Sequence, residues 1–109
     1  MQALVAEIEY SRKSVQNILE HFFYFSHAAE NGNMDAAVLI TDMKEATKKA
    51  ELTDQQKRVY YTRFLREYTV KEVAEVMGIS HQAVSYHVEA IVTKVLRVLN
   101  GEDAKGGIQ

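Results

Sequence analysis

The chain has 109 residues and a formal net charge of -2, one domain's worth of protein, able to bury about 60 to 70% of the surface its unfolded form exposes. Hydrophobic residues at 47% and charged residues at 26% exclude the composition of disordered chains. The absence of cysteine excludes disulfide scaffolds, thiolate zinc fingers, iron–sulfur clusters and thiol nucleophiles. The longest apolar run, 36–40, is far short of the roughly 20 residues that span a bilayer, and no basic segment leads into a signal-peptide core, so a cytoplasmic location is expected. With no proline, and three of the five glycines in the last nine residues, little interrupts helix formation before Gly101.

In chain order, the first periodic segment covers 4–29, where Leu4, Ile8, Val15, Ile18, Phe22, Phe25 and Ala29 recur at helical spacing. The polar stretch around Ser11 admits a break, so the helix can begin in earnest there. Asn31, Gly32 and Asn33 stop this helix and cap the next, giving a helical hairpin. The second helix, 34–50, has a narrower apolar face of Ala36, Leu39, Ile40, Met43, Thr47 and Ala50, with Asp35 at its positive end and Lys48 and Lys49 at its negative end. Thr53 with Gln56, and Thr69 with Glu72, read as capping boxes opening a third helix over 53–68 and a short fourth ending at Gly78. Ser80 caps a fifth helix, 81–99, and 101–109 is expected to be a disordered tail. The fold class is therefore all-α with about five helices: an N-terminal hairpin, 1–51, for oligomerisation or partner binding, and a C-terminal helix-turn-helix unit, 52–100.

The informative stretch is 70–89, a short helix, a Gly-containing turn and a second helix. Ala74 is small where the two axes approach, Gly78 takes a positive φ, and Val73, Met77, Ile79 and Val84 form the shared core. Leu52-Thr53-Asp54-Gln55-Gln56 and the run Glu72-Val73-Ala74 to Gly78-Ile79-Ser80 resemble region four of bacterial sigma factors, with its L-T-x-x-Q opening and E-V/I-A-x-x-x-G-I-S turn. The resemblance covers about 52–99. The run 83–88 is also similar to the recognition helix of LuxR-type output domains, and the size and leading hairpin resemble small phage or prophage transcription regulators. The resemblance implies double-stranded DNA as partner, the last helix in the major groove, and, in sigma factors, docking on RNA polymerase. Nothing in the N-terminal half matches the sigma segment that reads and melts the promoter's upstream-of-start element.

Helix geometry assigns the contacts. With Val84, Val88 and Ile91 inward, His81, Gln82, Ser85, Tyr86 and Glu89 face the groove as base readers. Arg66, Lys71, Ser80, Lys57 and Lys94 are the expected phosphate contacts, with Arg58, Arg63 and Arg97 as further cations. His21 and His27, like His81 and His87, are six residues apart, about 240° around a helix, so no metal site and no cofactor are expected. The run Phe22-Phe23-Tyr24-Phe25 sweeps about 300° of a helix and cannot hide on one face. Val15, Ile18, Phe22 and Phe25 are accordingly expected to form an oligomer or partner interface, as a homodimer.

Residues 1–51 hold five Lys/Arg against eight Asp/Glu, and 52–100 hold seven against five. This weak basic surplus leaves two alternatives beside a sequence-specific transcription regulator: a protein that binds RNA polymerase or a sigma factor with little DNA affinity, and a small-terminase-like packaging subunit. No nucleophile–base signature, phosphate loop or ligand cluster points to an enzyme.

Overall fold

Ser11 opens the first helix, its hydroxyl accepting from the Ser14 amide while the Ser14 hydroxyl accepts from the Ser11 amide. The computed structural model describes residues 9–101; Leu4, Ile8 and the expected tail at 102–109 lie outside the described residues. Helix α1, Arg12–Glu20, and helix α2, Phe22–Glu30, replace the single helix expected there. The break is at His21, where the backbone N–H donates to the Asn17 carbonyl and the ring Nδ1 lies 2.9 Å from the same oxygen. A side chain entering the helical ladder in this way bends it. After Gly32, at φ 96, Asn33 caps α3, Met34–Lys49, by accepting from the Ala36 amide.

The Thr53/Gln56 box starts α4, Asp54–Tyr60, and the Thr69/Glu72 box starts α5, Val70–Met77. Between them the expected single helix to Tyr68 widens into a π-helical turn, Tyr61–Leu65, and stops at Arg66. The widened turn carries Phe64 into the core, 1% exposed. The chain then reverses through Glu67 at φ 60, a left-handed residue that is not glycine. Gly78 closes α5 at φ 68, ψ 36, and Ser80 caps α6, His81–Leu99, by accepting from the Ala83 amide.

Among the described residues the fold comprises six α-helices and the π-turn, without strands. No described helix is long and apolar enough to cross a membrane. Helix α6 is the shared partner, packed against α1, α3, α4 and α5. Its inward residues Val84, Ile91, Val92 and Val95 are fully buried with Val15 and Leu19 of α1, Met43 of α3, Val59 of α4 and Val73 of α5. These residues belong to one contiguous cluster, so the two halves of the chain share a single core. Polar ties cross the same seam: the Arg12 guanidinium donates to the Thr93 hydroxyl, and Arg63 pairs with Glu20 at 3.8 Å.

Candidate nucleic-acid interface

The turn between α5 and α6 sets where α6 points. Gly78 donates its N–H to the Ala74 carbonyl, and Ile79 donates to the same oxygen at 3.0 Å. Two amides converging on one carbonyl close the helix end, and the left-handed Gly78 redirects the chain. Ala74 is 4% exposed and Val73 and Val84 are fully buried, with Met77 and Ile79 half-buried around them. The bend is therefore held by its own small apolar core.

His81, Gln82, Ser85, Tyr86 and Glu89 are all exposed along the first turns of α6. Tyr86 is 71% exposed. Its ring meets His87 edge-on, with centroids 5.9 Å apart at 67°. His87 is half-buried, and its Nδ1 has no hydrogen-bond partner. Ser85 and Glu89 also line a cleft of about 200 Å³ shared with Gln16 and Glu20 of α1, Arg63, Val70 and Val88. Helix α1 thus stands beside the exposed face of α6, a neighbour that helix periodicity alone could not reveal.

The expected phosphate contacts fall into two groups. Lys57, Arg66, Lys71 and Ser80 are exposed. Arg66 lies 5.8 Å from the Tyr61 ring centre and 5.7 Å from that of Tyr68, and donates to the Tyr61 hydroxyl at 3.4 Å. That hydrogen bond, with the charge interactions of the two tyrosines, raises the Arg66 pKa further. Lys57 lines a groove with Arg58, Tyr61, Thr62, Val76 and Met77. Lys94 is engaged within the fold: its ammonium donates to Gln56 Oε1 at 2.9 Å and to the Glu51 carbonyl at 3.4 Å. It ties α6 to the start of α4. Arg63 is likewise committed internally, to Glu20 and to the Tyr68 carbonyl at 3.2 Å.

Three residues of the expected interface set are a correction. Val15, Ile18 and Phe22 are 0, 5 and 8% exposed, and Phe25 packs half-buried on the same core. Val15, Ile18 and Phe22 are already covered by the chain's own helices, whereas Phe25 keeps part of its ring at the surface. The bend at His21 turns Phe22 inward, leaving Phe23 and Tyr24, with Met34 at the start of α3, as the large exposed apolar residues among the described residues of the N-terminal half. The impossibility of hiding all four aromatics on one helix was the available signal; which two stay out depends on the bend.

Residues 50–97 match the family model of sigma-70, region 4. This segment is similar to sigma-70 region 4, and within it α5 and α6 form a helix-turn-helix. Comparison with curated proteins returns no match, and comparison with solved structures returns none. The region 4 match begins at the buried Ala50 and takes in α4, the π-turn, α5 and α6 as far as Arg97. Helices α1 to α3 lie outside it, yet pack on its longest helix. Region 4 is a DNA-binding, non-catalytic helix-turn-helix of the sigma-factor type, and α5 and α6 carry the two-helix geometry that such binding uses.

Proposed function

We propose that the protein is a sequence-specific DNA-binding transcription regulator that lays the first turns of α6 in the major groove. The observation that carries this reading is the coincidence of the region 4 match with a left-handed Gly78 turn that leaves His81, Gln82, Ser85, Tyr86 and Glu89 exposed along one face. Those five read bases, while Arg66, Lys71, Ser80 and Lys57 hold phosphates. Such a protein is a binding module of the cytoplasm, not an enzyme.

The region 4 half has a basic surplus of only two charges, so one copy neutralises few phosphates. A homodimer supplies the missing affinity, because the second contact becomes intramolecular and strengthens binding by about 10² to 10⁴. Phe23, Tyr24 and Met34 are the surface proposed for self-association. C2 symmetry then places two half-sites about one helical turn apart.

A second reading is favoured by one specific feature: residues 72–93 contain Glu72, Glu75 and Glu89 and no lysine or arginine. A two-helix unit this acidic suits a protein that occupies RNA polymerase and touches DNA little. A mobility-shift titration of the intact chain against pooled random duplexes at two salt concentrations separates the readings. Enrichment of one site, with affinity that falls steeply with salt, supports the regulator. Weak, sequence-independent binding at both salts favours the polymerase-binding alternative.

A further inference from the structure

The cation-free stretch also restricts which base pairs the recognition face can select. Between Lys71 and Lys94 no ammonium or guanidinium is available to α6 from its own sequence or from the turn before it. In the major groove guanine displays two acceptors, N7 and O6, and the side chains that match that pair are arginine and lysine. Adenine displays an acceptor and a donor, which match a carboxamide, and thymine displays a methyl group, which matches apolar surface. Gln82 is an exposed carboxamide in the first turn of α6. Tyr86, one turn on, offers an exposed ring whose face is set by its edge-on contact with the half-buried His87. His81 offers a ring nitrogen, which donates equally well to the N7 of adenine or guanine, and Ser85 is permissive.

We infer that the DNA half-site is A·T at the positions facing Gln82 and Tyr86, with adenine opposite the Gln82 amide and thymine opposite the Tyr86 ring. The inference rests on the DNA-reading proposal above and adds the base class that the face accepts. Guanine at either position leaves its two acceptors facing a neutral amide or a phenol, without the bidentate cation that selects it. Glu89, exposed on the same face of α6, is an acceptor and supplies no donor to guanine's acceptor pair.

The experiment uses the intact chain and a random duplex pool, followed by base analogues in the selected site. Selection is expected to return A·T at two positions of each half-site. Replacing the selected thymine by deoxyuridine removes only the C5 methyl and should weaken binding about fourfold, the worth of one buried methyl group. Replacing the adenine by 7-deazaadenine removes N7 and should cost about five- to tenfold, one hydrogen bond of the bidentate pair. Tyr86→Ala should abolish the deoxyuridine effect and Gln82→Ala the 7-deazaadenine effect, while Gln82→Arg should move the selected base to guanine. Guanine selected by the parent chain, or analogue effects that persist unchanged in the alanine variants, overturns the A·T assignment and leaves DNA reading intact. Absence of binding to any duplex, even at low salt, overturns both.

Discussion

Substituting Gly78 isolates the backbone geometry on which the placement of α6 depends. The residue sits at φ 68, and a Cβ added there meets no atom within 4 Å. The penalty is therefore local to the residue's own backbone, with no clash against the elements packed around it. An L side chain in the left-handed region costs about 1 to 2 kcal/mol, while removing a glycine stabilises by about 0.4 to 1 kcal/mol through the unfolded chain. For Gly78→Ala the difference is about 1 kcal/mol of lost stability. Gly78→Val, β-branched and strained further, should lose about 2 kcal/mol, near the middle of the range for left-handed non-glycine residues. Gly78→Asn should lose least, because a short polar side chain tolerates this conformation. Urea unfolding of the three variants reads the order through their midpoints at constant slope. In a domain of this size each kilocalorie moves the melting temperature by about 4 to 8 °C. DNA affinity should fall in the same order, since a relaxed turn misdirects α6. A Gly78→Val chain that unfolds at the parental midpoint, or an alanine variant worse than the valine one, refutes the torsional account of the turn.

Other substitutions test the remaining assignments. Lys94→Met should lower stability by about 1 kcal/mol, because the buried Gln56 loses a charged donor, while gel-shift affinity stays at the parental value. Lys71→Ala should leave stability unchanged, weaken binding to all duplexes alike and reduce the salt slope by about one. Phe64→Ala should cost about 3 to 5 kcal/mol by emptying the site that the π-turn fills, measured by urea unfolding. Burial, then the hydrogen bond to Asp42, raises the Tyr10 pKa above its usual 10.0, and burial raises that of Tyr60, opposed by the Thr47 hydroxyl. Both groups hold their protons more tightly when folded, so their contribution is complete below pH 10 and declines as the pH rises further; Tyr10→Phe with Tyr60→Phe should flatten the alkaline fall of the unfolding midpoint. If Phe23 and Tyr24 join two copies, Phe23→Ser with Tyr24→Glu should halve the mass seen by light scattering and leave the fold unchanged by circular dichroism.

Most of the helix boundaries were legible because their signals are local. Thr53, Thr69, Ser80 and Asn33 cap helices through bonds to residues three positions away, and Gly78 takes the φ that the turn demands. Such contacts depend on a few neighbouring residues and survive any tertiary arrangement. The outward positions of His81, Gln82, Ser85, Tyr86 and Glu89 followed in the same way from the helical repeat and the buried Val84, Val88 and Ile91.

The remaining features depend on packing between segments far apart in sequence. The bend at His21 and the π-turn at Tyr61–Leu65 carry no proline or glycine to announce them; Phe22 and Phe64 occupy sites in the common core at those points. Lys94 is a groove-side cation by periodicity alone, yet Gln56, 38 positions earlier, offers its side-chain oxygen as acceptor. Glu51 and Glu67 take left-handed backbone that their residue type disfavours, at the junctions into and out of the segment Asp54 to Leu65. Sequence by itself determined the all-α class, the caps and the exposed face of α6, because those rest on local bonds and on the helical period. Only the tertiary structure decided which aromatics stay exposed, which cations remain free and that α1 flanks the recognition helix, because each of these is settled by what one distant segment covers on another.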